Sequence, residues 1–255
     1  PVAQKLSKNA MKKQAKMAKR LENAAEWKLK QKELKKQRRE ARKGRPKTPN
    51  PDQMYVIHDN FTVSGNVAID LSFVEMMNEK ELKSFASQVM RCYSLNRRFS
   101  KRFNLMLIEA TEARLEILKR LLPNMEKWGL EIIYKTLSDI KEERTGEART
   151  GITYLTADSE NTLEAINAES TLVVGGLVDH NRFKRICIDK AESIPVSTAR
   201  LPIFENVSLS GSKVLTIVNV YEILLRFNEL GDWKQALELS IPKRKQKCLQ
   251  SENTE

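Results

Sequence analysis

Residues 171–184 read TLVVGGLVDHNRFK. Thr171-Leu172-Val173-Val174 is rich in β-branched residues and carries no charge, the pattern of a short buried strand. Gly175-Gly176 ends the run and suits a sharp turn, or the close approach of a ligand to the backbone. Asp179-His180-Asn181 follows. It leads into a segment whose Phe183, Ile186, Cys187 and Ala191 fall at helical spacing, which predicts a helix from Arg182. The stretch is therefore strand, glycine turn, polar cluster, helix. Asp179 or Asn181 capping that helix is the ordinary reading of the polar cluster. The glycines fit neither the dinucleotide pattern G-x-G-x-x-G nor a P-loop, which needs Gly-Lys-Ser/Thr.

The same alternation runs outward on both sides. Upstream, the pattern predicts strands at 67–69, 103–108, 130–134 and 152–155, and helices over 78–95, 111–121 and 159–167. Downstream it predicts short strands at 199–201 and 213–215, an apolar helix over 218–228 and a last helix opened by Asp232-Trp233 and reaching about Ser240. Residues 141–151 are charged and turn-rich and read as an exposed loop. Strands alternating with helices predict an α/β fold with a mainly parallel sheet covered on both faces.

Charge divides the 255 residues unevenly. Residues 1–50 hold 18 Lys/Arg against 4 Asp/Glu, a surplus of +14, while the remainder is at −2 within a total of +12. Residues 8–43 contain no glycine or proline and are dominated by good helix formers, so they read as one long basic helix. A solvated or disordered charge run is the competing reading. Such an arm points to a polyanion, nucleic acid before an anionic membrane, because its apolar stripe is thin and Trp27 is its sole aromatic. The expected layout is a basic RNA-binding arm over 1–50, a linker over 51–65, a folded domain over 66–245 and a disordered tail over 246–255.

Composition also excludes several classes. The three cysteines, Cys92, Cys187 and Cys248, form no CxxC and no even framework, which argues against disulfides and a zinc site. Two histidines, His58 and His180, cannot make a histidine-rich metal centre. No run approaches transmembrane length, and nothing resembles a secretory signal.

YLTADS at 154–159, VVGGLVDHN at 173–181, RLPI at 200–203 and KVLT at 213–216, in this order, resemble the tRNA N1-purine methyltransferases acting at position 9, members of the SPOUT superfamily. The resemblance covers about Asn66 to Lys245. It implies a C-terminal trefoil knot with S-adenosylmethionine bound in the knot loops, tRNA as substrate, no metal, and a single working chain. By the same resemblance Leu155, Thr156, Gly175, Gly176, Asp179, Lys184, Leu201, Pro202, Leu215 and Thr216 are the cofactor segments. Asp179 is the candidate catalytic carboxylate, able to accept the proton that guanine N1 carries at neutral pH. Asp70, Gln88, Asn96, Arg97 and Arg98 match positions near the target purine. Each of these five also has an ordinary reading: a turn or cap, a helix-surface residue, salt-bridge partners. Guanine against adenine stays open, as does a non-catalytic RNA-binding scaffold. The arm leans the expected location to nucleus or cytoplasm, with the mitochondrion as an alternative.

Overall fold

The computed structural model describes residues 60–143, 151–180, 182–208 and 214–241, with residues 17, 19, 23, 24, 26–37 and 40 of the N-terminal arm. The chain divides into two compact units, 1–55 and 56–255. In the first, every described residue is helical; both ends of the helix expected over 8–43 lie outside the described residues.

The second unit carries the sheet. Its elements are β1 (Thr62–Asp70), α1 (Glu79–Asn96), β2 (Lys101–Ile108), α2 (Glu112–Leu121), β3 (Glu131–Ile132), α3 (Leu137–Glu143), β4 (Ile152–Leu155) and β5 (Thr171–Gly175). There follow α4 (Ile186–Ser193), β6 (Ser197–Ala199), the short α5 (Ile203–Asn206), α6 (Ile217–Leu230) and α7 (Trp233–Ser240). The described strands form one six-stranded sheet in the order β3-β2-β1-β5-β4-β6. Every neighbouring pair is parallel. The expected α/β architecture is present.

The strands alternate between two buried faces, as a period of two requires. Val67, Ile69, Leu105, Leu107, Leu172 and Val174 point to one side, where Phe85 and Val89 of α1, Leu118 of α2, and Tyr221 and Leu224 of α6 cover them. Ala68, Met106, Ile108, Tyr154 and Val173 point to the other, under Leu137 and Ile140 of α3 and Ala191 of α4. The helix starts are fixed by side chains. Asn78 and Glu81 close a capping box at α1, Thr216 caps α6, and Asp232 caps α7.

Register brings the strand ends to a common level. Asp70 lies opposite Gly175, and Leu155 opposite both Val174 and Ala199. Beyond that line Gly176 donates its N–H to the Asp70 carbonyl at 2.9 Å. A Cβ on Gly176 would sit 2.3 Å from that carbonyl oxygen, so the crossing from β5 requires a residue without a side chain.

Several boundaries differ from expectation. β1 begins at Thr62, not near Asn66, because Gly65 (φ +128°) lets the strand continue through a bulge between Val63 and Asn66. No helix forms over 159–167. Its backbone is spent laterally: Arg200 N–H donates to Asn161 O and Leu163 N–H to Arg200 O, both at 2.8 Å, making Thr162–Arg200 a parallel bridge. Helix α4 starts at Ile186 instead of Arg182, since Arg185 holds a left-handed φ of 57°. The strand expected over 199–201 ends at Ala199, before Pro202. Val214 and Leu215 carry no strand pairing and lead into the Thr216 cap; Lys213 lies outside the described residues. Strand β3 keeps just two of the five residues expected over 130–134. Helix α3 enters the expected loop as far as Glu143, and 144–150 lie outside the described residues.

Residues 209–213, in the C-terminal part where a knot is expected, lie outside the described residues. No described helix is long and apolar enough to cross a membrane.

Gly176→Ala should cost about 3 kcal/mol or more, because strand backbone and not a movable side chain stands in the way. Gly129, at φ +67° with nothing within 4 Å of an added Cβ, should lose about 1 kcal/mol on the same change. Urea unfolding of the two variants checks the difference.

Candidate active site

Ligands in an open parallel sheet sit beyond the carboxyl ends of the strands. There the structure has a cavity of about 310 Å³. Four segments wall it: Leu155–Asp158 at the end of β4, Val174–Asp179 at the end of β5, Arg200–Phe204 after β6, and Val214–Val220 entering α6. The turn from Phe183 to Cys187 closes it. Leucine, valine, isoleucine and phenylalanine side chains dominate, with Thr156, Asp158, Asp179, Lys184, Arg185 and Arg200 as the polar groups.

Of the ten residues expected to hold a cofactor, Leu155, Thr156, Gly175, Asp179, Lys184, Leu201 and Leu215 line this cavity. The other three serve the scaffold beside it. Gly176 makes the close crossing over Asp70. Pro202 is buried, and its carbonyl accepts from Asn206 at 2.7 Å. Thr216 caps α6 by accepting from the Asn219 N–H at 3.3 Å.

Asp179 is half-buried on the cavity wall. Its Oδ2 accepts the Phe183 N–H at 2.6 Å, and its carbonyl accepts the Arg182 N–H at 3.2 Å. The carboxylate thus shapes the turn that carries it, and the turn aims it at the cavity. Asp179 caps no helix, because α4 begins only at Ile186 and no side-chain hydrogen bond caps it.

None of the five residues expected near the target purine lines the cavity. Asp70 is 0% exposed; it accepts from Ser72 N at 2.9 Å, Tyr154 OH at 2.7 Å and Lys190 Nζ at 2.8 Å. Gln88 is 9% exposed on α1, with Nε2 facing Ser84 Oγ at 3.4 Å and Oε1 unmatched among the described residues. Asn96 clasps β2, donating to Phe103 O at 2.8 Å and accepting from Phe103 N at 3.1 Å. Arg97 caps α1 and stands 5.7 Å from the Tyr93 ring. Arg98 reaches Ser94 Oγ at 3.5 Å.

Sequence reasoning missed Cys187 and Ile186 as cavity residues. Their helical spacing signals a core face, yet α4 starts so late that its first turn abuts the cavity. Gly175 answers them from the strand: a Cβ there would lie 2.6 Å from Cys187 Sγ and 3.4 Å from Tyr154 OH. The cavity wall is therefore as thin as the backbone permits. Burial pushes the Cys187 thiol up to about 12, with the Asp70 charge as the next cause. Burial first and Asp70 second also hold the Tyr154 phenol well above its ordinary value. Among the described residues no group of three or more His, Cys, Asp or Glu could hold a metal ion.

An all-parallel α/β sheet with an apolar cavity over its strand ends defines a small-ligand-binding class. The family described as tRNA (guanine(9)-N(1))-methyltransferase TRM10/TRM10A matches residues 4–246, and the chain belongs to that family. It is 37% identical over 182 residues to the tRNA (guanine(9)-N1)-methyltransferase of Candida glabrata, covering 71% of this chain and 62% of that one. It is 38% identical over 186 residues to the enzyme of the same name from Eremothecium gossypii, covering 70% and 58%. Against these fungal relatives the chain spans about three fifths of their length. The crystal structure of full-length spTrm10 in complex with SAH superposes with a TM-score of 0.64 at 29% identity, covering 73% of this chain and 100% of that one. A dual specific Trm10 from Thermococcus kodakaraensis shares the fold, at a TM-score of 0.54, 19% identity, and coverage of 69% and 99%. The architecture is the SPOUT type.

Alkylation tests the Cys187 thiol. Below its pKa the rate follows the thiolate fraction, so Cys187 should react with iodoacetamide at pH 8 at least a hundred times more slowly than in urea. Its rate should climb about tenfold per pH unit. Mass spectrometry of the Cys187 peptide reads both.

Proposed function

We propose that this chain transfers a methyl group from S-adenosylmethionine to N1 of guanine at position 9 of tRNA. One observation carries the reading: in a chain of this family, the segments after β4, β5 and β6 and the entry to α6 converge on one cavity with Asp179 on its wall. The residues present fit the cofactor. About 310 Å³ lies at the lower end of the range for small-molecule sites. Leu155, Leu201, Leu215 and Ile217 offer apolar faces for a purine ring. Gly175 brings bare backbone to the cavity wall, with no room for a Cβ beside Cys187. SAH in the complex with spTrm10 is the product such a donor leaves.

Bound there, S-adenosylmethionine supplies a methyl carried on a sulfonium, and the carbon–sulfur bond breaks as the bond to N1 forms. The chain's part is alignment, which in a displacement contributes more than any covalent step. Asp179, held by the Phe183 N–H, accepts the N1 proton directly or through one water. The basic arm supplies a salt-dependent hold on phosphates while the domain takes the target base from the tRNA core. The trefoil knot and action as a monomer belong to the same proposal. Support for the knot is the convergence of the 175–179, 200–204 and 214–220 segments on one cavity.

The test is methyl transfer from labelled S-adenosylmethionine to tRNA transcripts bearing G9 or A9. Wild type should modify the G9 transcript, and Asp179→Asn should lower kcat by about 100-fold, the scale of a lost general base. Methylation of A9, where no N1 proton has to leave, would replace the guanine assignment with adenine or dual specificity. No transfer to either by a folded chain would favour the scaffold reading.

A further inference from the structure

We propose that Asp70, buried behind the cavity, is the counter-charge for the methyl donor's positively charged sulfur, so that the cavity favours the cationic donor over the neutral thioether product. The inference rests on the function proposed above and gives Asp70 a role its burial allows.

A carboxylate at 0% exposure is costly unless paired and hydrogen-bonded. Asp70 has both, but its cation is shared. Lys190 Nζ lies 2.8 Å from Asp70 Oδ2 and 2.7 Å from Glu109 Oε1. Arg114 is shared in turn, at 3.7 Å from Glu109 Oε2 and 2.8 Å from Glu75 Oε1. Three carboxylates thus meet two cations. One negative charge is left over, and its most deeply buried member is Asp70.

That member is also the one nearest the cavity. Asp70 pairs in register with Gly175, a cavity residue, and its Oδ2 accepts the hydroxyl of Tyr154. An added Cβ on Gly175 would be 3.4 Å from that same hydroxyl. The Cys187 thiol and the Phe73 ring pack at the same place, 2.6 and 3.5 Å from that added Cβ. The Cys187 thiol on the wall registers the field. After burial, Asp70 is the next cause raising its pKa; the Tyr154 hydroxyl lowers it, and Asp158 and Asp179 on the cavity wall raise it. The cationic residues of the cavity sit differently. Arg185 pairs with Asp189 at 3.4 Å and Arg200 with Glu205 at 2.6 Å, while Lys184 is exposed, where water screens its charge.

Methyl transfer removes the positive charge from sulfur. A fixed negative potential therefore stabilises the donor and not the product, without touching either by hydrogen bond. This separates an electrostatic role from a structural one. A group that merely holds the wall in shape supports both ligands alike.

The experiment is calorimetric titration of the full chain with S-adenosylmethionine and with S-adenosylhomocysteine, in wild type, Asp70→Asn and Glu109→Gln, with a thermal melt of each variant. The quantity read is the ratio of the two dissociation constants. In Asp70→Asn the ratio should move about tenfold against the cationic ligand, with the product's affinity little changed. In Glu109→Gln, farther from the cavity and able to keep its hydrogen bonds, it should move about threefold in the same direction. If Asp70→Asn does not fold, Glu109→Gln decides. Equal weakening of both ligands, or an unchanged ratio, overturns this inference alone. A folded wild type that binds neither ligand overturns the methyltransferase reading and this inference with it.

Discussion

The 2.9 Å hydrogen bond from Gly176 N–H to Asp70 carbonyl sets the geometry of everything above the sheet. It locks the exit of β5 against the end of β1, the two strands at the middle of the sheet order. Because a Cβ at 176 would collide with strand backbone, the crossing tolerates no side chain. The next residues, Leu177 to Asp179, are thereby launched across the strand ends and into the cavity wall. A displacement of that crossing would move Asp179 relative to the segments after β4 and β6. Sub-ångström misplacement of a reacting group is enough to be felt in a displacement reaction.

Around this crossing the molecule keeps its polar groups at one level. Below it the strands are apolar on both faces. At the strand ends Asp70, Ser72, Glu109, Tyr154 and Lys190 form one connected network. Lys190 reaches Asp70, Ser72 and Glu109 from α4, so the helix whose first turn walls the cavity is anchored to β1 and to the residue after β2. Replacing such a network by apolar residues is often neutral for stability, while breaking one member is expensive. Its presence here goes with orientation: it fixes where α4 begins relative to the sheet.

Periodicity made the scaffold legible. The uncharged run at 171–174, the apolar faces of α1 and α6, and the caps at Asn78 and Asp232 each have a local cause that the sequence displays. The errors come from pairings and backbone conformations that the sequence does not display. Leu163 and Ile166 keep helical spacing, but the backbone of Asn161 and Leu163 bonds Arg200, far along the chain, and no local pattern reports a lateral bridge. Arg185 is a good helix former that sits at a left-handed φ, which delayed α4 and turned Cys187 from an expected core residue into a wall. The cavity segments were legible through their ordered resemblance to a family. The burial of Asp70 was not, because a single Asp after a strand looks the same whether it faces solvent or a buried lysine from a helix 120 residues away.

The turn between β5 and α4 is bracketed by two non-glycine residues in left-handed conformations, His180 at φ 52° and Arg185 at φ 57°. Each holds about 1–2 kcal/mol of steric strain, the amount by which an L-residue disfavours that region. Selection for thermal tolerance alone would therefore drift toward glycine at both positions, relieving strain in the folded state. Glycine would also widen the range of shapes open to the turn that carries Asp179. Robustness and geometric fidelity pull in opposite directions at these two positions, and the residues present mark the side on which the chain has settled.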